Sequence, residues 1–243
     1  MVRAEASSSR AASEAAEPSS TAAAAERFVR DDHLEPGYSP WRHIGLTLSI
    51  AVVLGALGGA LAARARLLDW LLMPVFFVVA NFIEWAVHRY PMHHPMPPRI
   101  MYENHARQHH LAFTDQNMTL GPARELGLIM MPWYTMVGLF AVASPVMLLA
   151  AGVRGPGLAG VFLVGAVAYF LSYEVLHALY HVPDPMLNRI GIGRLRVFRA
   201  MQRHHRHHHI LRRMTFVNFN VTVPLMDHLL GTKEREAPPD GGA

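Results

Sequence analysis

The sequence predicts an all-α integral membrane protein: four transmembrane helices arranged as two hairpins, with a helical cap on the cytosolic side that holds a histidine-rich di-metal site. Three observations lead there. The apolar residues are gathered into four long blocks, the Lys and Arg residues crowd into alternate connections, and thirteen of the sixteen histidines fall in four tight groups just outside the blocks.

The blocks are Ile44 to Ala63, Leu67 to Val87, Leu126 to Ala151 and Gly157 to Leu176. Each is about as long as the roughly 20 apolar residues needed to cross a bilayer core. In a soluble protein such segments would be helices buried on all sides, and a chain of 243 residues is too short to surround four of them with polar structure. Only a few residues around Arg64 to Arg66 join the first two blocks, and Gly152 to Pro156 join the last two, so each pair reads as an antiparallel hairpin. Pro74, Pro132 and Pro145 lie within the blocks and are expected to kink them, with neighbouring helices satisfying the freed carbonyls.

Charge then orients the bundle. Nineteen of the 22 Lys and Arg residues lie before the first block, between the second and third, or after the fourth. Cytosolic segments carry the positive excess, which places both termini and all four histidine groups on the cytosolic face of a bacterial cytoplasmic membrane or the endoplasmic reticulum. The net charge of +4 therefore calls for no nucleic acid, since basic residues beside a membrane attract anionic headgroups.

Residues 1–38 are rich in Ala, Ser and Glu and lack an apolar run able to offset the entropy of ordering, so a disordered cytosolic tail is expected there. Seven acidic residues in that stretch argue against a transit sequence. Residues 39–232 then form the membrane-embedded domain, and residues 233–243 a short flexible tail. Cysteine is absent, which excludes disulfides, thiolate metal sites and a Cys nucleophile. Any metal must rest on His, Asp or Glu.

The four histidine groups are His88, His93 and His94; His105, His109 and His110; His177 and His181; and His204, His205, His207, His208 and His209. Two imidazoles can share a metal when they stand three or four apart on one helix face. The pairs His105/His109 and His177/His181 have that spacing, as do His205, His208 and His209. Pro91 separates His88 from His93, so that pair straddles a helix end. So many imidazoles on one side exceed the three or four ligands of a single zinc ion and point to two metals. Alone, the run from Arg203 to His209 would read as a basic face on headgroups.

Taken together, Glu84-x3-His88-x4-His93, His105-x3-His109-His110, His177-x3-His181, His205-x2-His208-His209 and the ending Asn218-Phe-Asn-Val-Thr222 to Asp227 and Gly231-Thr232 resemble the fatty acid hydroxylase superfamily. That group contains sterol desaturases, fatty acid hydroxylases and carotenoid hydroxylases. The resemblance covers roughly residues 70 to 232. It implies a di-iron centre, with zinc left open, held by His88, His93, His105, His109, His110, His177, His181, His205, His208 and His209. His204, His207 and His208 satisfy the last spacing too; the later set is preferred because the Asn218-Phe-Asn segment then follows at a distance closer to that in relatives. Asn220 stands where many members carry Gly. Glu84, four before His88, and Glu174, three before His177, are candidates for accepting a ligand's other ring N–H. His94, His204, His207, Asn218 and Asp227 are candidates for supporting the site or fixing its loops.

The activity the resemblance implies is oxidation of a lipid C–H bond by dioxygen and two electrons, as hydroxylation or desaturation of an acyl chain, sterol or carotenoid. No flavin, nicotinamide or haem motif occurs in the chain. The electrons are therefore expected from a separate ferredoxin, or from a b-type cytochrome with its reductase. A divalent-metal transporter or store and a non-catalytic zinc protein are the alternatives. Transporters keep ionisable ligands near the bilayer midplane, whereas the span interiors here are almost free of His, Asp and Glu.

Overall fold

A computed structural model describes residues 28–234 of the chain, and every regular element among them is helical. Helix α1 (Pro40–Ala62) is followed by a helical turn, Leu67–Trp70, and α2 (Met73–Arg89); then come α3 (Trp133–Arg154), α4 (Pro156–His181) and α5 (Arg196–His208). The first four, counting Leu67–Arg89 as one unit, are long and apolar enough to cross a membrane. α5 is polar and carries the last histidine group.

Ser39 starts α1 by accepting the Arg42 N–H, and Pro40 occupies the first turn, where its missing N–H costs nothing. Half of the apolar window of α4 is buried inside the protein, against 11–17% for the other three. α4 is thus the central helix, and the others turn most of their apolar surface outward. The α1–α4 contact depends on missing side chains. A Cβ on Gly160 would stand 2.2 Å from the Ala62 nitrogen and 2.7 Å from the Gly58 oxygen, and one on Gly157 would meet Ala65 Cα at 2.6 Å. Small residues allow such backbone approach in membrane bundles. Gly160→Ala is expected to cost roughly 1–3 kcal/mol by forcing the helices apart, whereas Gly59→Ala, with open space around its Cβ, should be near neutral; melting of the detergent-solubilised protein would separate the two.

The C-terminal end of α1 meets the N-terminal end of α4, so the chain starts α1 at the end where α2 and α4 finish. At the same end, the buried His43 of α1 accepts the Tyr38 hydroxyl on Nδ1 at 2.9 Å and donates from Nε2 to the Met131 carbonyl at 2.9 Å. At the far end, Asp69 pairs with Arg154 at 3.0 Å.

Three expectations require correction. The third span does not run as a helix from Leu126: Ala123–Leu128 is a 3-10 stretch, and the membrane helix begins at Trp133. The reason is that the backbone of this segment is engaged elsewhere. The Leu128 carbonyl accepts from His109, the Met131 carbonyl from His43, and the Met131 N–H donates to Glu174. Pro132 and Pro74 sit at helix starts, where proline fits, and only Pro145 lies inside a helix. Finally, of the stretch 1–38 read as a tail, residues 28–38 are packed, with a 3-10 turn at Arg30–His33. The rest of that tail, and residues 235–243, lie outside the described residues.

Candidate metal centre

Ten imidazoles converge at the histidine end of the bundle. α2 supplies His88 in its last turn, α4 supplies His177 and His181, and α5 with its C-cap supplies His205, His208 and His209. His93 follows α2 in a turn, and His105, His109 and His110 come from a π-helical turn, Glu103–His109, and its exit. All ten are buried.

They form two groups of five, with the ring nitrogens of each group within 4.8 Å of one another: His88, His93, His105, His110 and His208; and His109, His177, His181, His205 and His209. In the first, Nε2 of His105 lies 2.8 Å from that of His88 and 3.1 Å from that of His110, and His93 is 3.0 Å from His208. In the second, Nε2 of His109 lies 3.1 Å from His177 and 3.2 Å from His209, with His205 3.1 Å from His209 and 3.4 Å from His181.

Of the pairs spaced three or four apart, His177/His181 and His205/His209 fall in one group, whereas His105/His109 and His205/His208 are divided between the two. For His105/His109 the π-turn is the cause: the His110 N–H bonds the His105 carbonyl, five residues back. His105 and His110 join one group, and His109 is turned to the other. Such widened turns recur at functional sites. The last helix brings His205, His208 and His209 inward. His204 instead donates to Asp227 at 3.1 Å, and His207 pairs with Glu234 at 2.7 Å.

Each of five rings is oriented through its Nδ1–H by a backbone carbonyl: His88 by Phe219, His208 by Val217 at 2.8 Å, His109 by Leu128 at 2.9 Å, His181 by Met118 at 2.8 Å, and His209 by Phe113. A carbonyl can only accept, so Nδ1 holds the proton and Nε2 is left with its lone pair. Burial pushes His93, His105, His109, His110, His205, His208 and His209 well below the ordinary imidazole range, and neighbouring rings add to the effect. The rings are therefore neutral at pH 7. His109 and His209 then face each other at 3.2 Å with two unprotonated nitrogens, a repulsive contact that a cation between them would remove. The spacing fits as well, since ligands at 2.0–2.1 Å from an ion stand roughly 2.9–3.4 Å apart in octahedral or tetrahedral arrangement. An all-imidazole donor set suits iron, copper or zinc.

Two loops do the orienting, one for each group. The acceptors for His88 and His208 lie in 217–219; those for His109, His181 and His209 lie in 113–128. Neither Glu84 nor Glu174 hydrogen-bonds an imidazole, which corrects the expectation for both. Glu84 instead fastens the first loop, accepting from the Thr222 N–H at 3.0 Å, the Thr222 hydroxyl at 2.6 Å, Val221 N–H and Tyr169. Its position one turn before His88 aims it at the strand of backbone that holds His88. Glu174 receives only the Met131 N–H, at 3.4 Å, and leaves its second oxygen buried without a partner.

Asp227 secures the same loop from the other side. It accepts from the N–H groups of Phe219 and Asn220 at 2.9 and 2.8 Å, from Thr232 at 2.7 Å and from His204. Burial opposes its charge, but hydrogen bonds from His204, Thr232 and the Asn220 N–H outweigh that and hold its carboxyl below the usual range. The left-handed residue of this turn is Asn218, with φ of 60°, a conformation asparagine tolerates. Asn220 uses its side chain to bond the Asn81 carbonyl and the Asp227 N–H. His94 bonds only the Arg89 carbonyl at the surface.

Several of these partners lack a motif. Asn81, a polar residue inside an apolar span, was the detectable signal; it bonds Val223, Tyr169 and Met226. Tyr169 has no comparable sequence cue, and Thr222 stood only as the last residue of the family-like ending Asn218 to Thr222. Beside both groups lies a cavity of about 490 Å³, reached by His105, His109 and His177 and walled by residues that include Met92, Met101 and Tyr173.

The chain matches the family model described as Fatty acid hydroxylase over residues 73–232, more than half of its length. Comparison with curated proteins returned no match, and neither did comparison with solved structures. The matched segment contains all ten clustered imidazoles and both orienting loops, and by it the chain belongs to the fatty acid hydroxylase family, within the fatty acid hydroxylase/sterol desaturase superfamily.

Proposed function

We propose that the protein is a membrane-bound di-iron oxidoreductase that uses dioxygen and two electrons to hydroxylate or desaturate a C–H bond of a lipid. The observation that carries this reading is the pair of five-imidazole groups, each with its ring nitrogens within 4.8 Å, in a chain of this family. His88, His93, His105, His110 and His208 would hold one ion, and His109, His177, His181, His205 and His209 the other. Two bound irons supply the capacity to activate dioxygen and to attack an unactivated C–H bond.

The remaining work belongs to the chain. On five of the ten rings, carbonyls of the two loops keep Nδ1 protonated and Nε2 free, so no proton must leave those rings when an ion binds. The cavity beside His105, His109 and His177 offers Met92, Met101, Leu128 and Ile129 to an apolar chain. The electrons enter from a separate ferredoxin, or from a b-type cytochrome and its reductase. The exposed Arg194, Arg196, Arg203, Arg206 and Arg212 form a basic surface suited to an acidic donor. The excess of Lys and Arg on that side supports a cytosolic position for that surface and the centre.

Comparison of lipid extracts from cells with and without the protein tests this. A product heavier by one oxygen or lighter by two hydrogens, absent for His181→Ala, is the expected result. Metal flux across the membrane with an unaltered lipid profile would overturn it.

A further inference from the structure

We infer that Arg30, ahead of the first span and outside the matched family segment, is a positioning residue for the five-imidazole group His109, His177, His181, His205 and His209. The inference rests on reading those groups as metal sites. The loop that carries the carbonyl acceptors for His209 (Phe113), His181 (Met118) and His109 (Leu128) has no ladder of its own. Between Phe113 and Pro122 it is irregular backbone with bends, and only its last part, Ala123–Leu128, forms a 3-10 stretch.

Arg30 supplies the missing frame. Its guanidinium donates from Nε to the Ala112 carbonyl at 2.9 Å, from Nη1 to the Thr119 carbonyl at 3.1 Å and from Nη2 to the Asn117 carbonyl at 2.9 Å. Those carbonyls belong to the residues beside Phe113 and on both sides of Met118. The planar fork thus clamps the backbone next to the carbonyls that hold His209 and His181. Nη1 also meets Glu125 at 2.6 Å, and the same carboxylate oxygen takes the Gly121 N–H at 2.9 Å. The guanidinium lies over the Phe113 ring, 4.1 Å from its centre.

The segment around it is built to stay. Phe28 and Leu34 pack on the cluster of Ala112, Phe113, Leu128 and Ile129, and Asp31 pairs with Arg124 at 2.6 Å. None of these contacts reaches the loop 217–222 that orients His88 and His208. Arg30 should therefore govern one metal and not the other, a selectivity that general destabilisation would not produce.

Cobalt(II) titration of the metal-free full chain in detergent, read by visible absorption and by metal-to-protein ratio after gel filtration, tests this. The wild type is expected to bind two ions. Arg30→Ala should bind one as the wild type does and the other roughly 10- to 100-fold more weakly, the usual range for loss of a group that orients a ligand. Arg30→Lys keeps the charge beside Glu125 but cannot reach three carbonyls at once, and should show the same selective loss; it decides alone if the alanine variant does not fold. Arg124→Ala, which removes only the exposed pair with Asp31, should bind both ions normally. Unchanged affinity for both ions in Arg30→Lys, or equal weakening of both, overturns the inference. A wild type that takes up no cobalt overturns the metal reading and the inference with it.

Discussion

His109→Ala is expected to abolish lipid oxidation, a loss of at least about a thousandfold, which corresponds to roughly 4 kcal/mol of transition-state stabilisation. His109 stands between two partners, with Nε2 3.1 Å from His177 and 3.2 Å from His209, and it borders the cavity. Its removal opens one group on the side where an apolar substrate would lie. The chain should remain folded, because the lost hydrogen bond is to the Leu128 carbonyl, a single contact in a loop that Arg30 and Glu125 also hold. Product analysis and iron content measured together would check this. Full activity with one iron lost would show that the second group does not take part in the chemistry.

A different kind of loss is expected for Asp227→Ala. This carboxylate is fully buried and accepts from two backbone N–H groups, a hydroxyl and an imidazole. Its removal strands those donors, at about 1–3 kcal/mol for each that stays unpaired. Fold stability should fall by roughly 3–5 kcal/mol. The consequence reaches the metal, because Phe219 both donates its N–H to Asp227 and offers its carbonyl to His88. If the first group holds an ion as proposed, that ion should be released before one held by the second group. The pH response has a definite sign. Asp227 is held below the usual carboxylate range, so its contribution is present above the unfolded-state value and fades as pH falls through the folded one. The wild type should therefore lose stability on acidification over that range, and Asp227→Asn should lose less. Unfolding midpoints measured against pH would show it, and parallel curves for the two proteins would contradict the assignment.

These two expectations differ in how far they could be read from the chain alone. His109 is one of ten imidazoles whose spacing and family likeness are written in the sequence, because each box is local and repeats a ligand geometry that a helix can express. Asp227 could be named as a loop residue, but not as the anchor of the carbonyl that orients His88, since the bond between that carbonyl and His88 joins residues 131 apart. Glu84 illustrates the same limit. Its spacing from His88 suggested a direct bond, yet its helix aims it at Val221 and Thr222.

The four apolar helices and the gathering of histidines at one end follow from hydropathy and from box positions, both properties of contiguous sequence. The division of ten imidazoles into two groups does not. It depends on a π-turn that separates His105 from His109, and on two loops whose carbonyls come from distant parts of the chain. Nor is the role of Arg30 visible in a segment whose composition reads as a tail. A single guanidinium there finds four acceptors only after the loop 112–125 has folded against it. Local pattern can specify which residues are able to bind a metal; long-range backbone hydrogen bonds decide which of them face the same one.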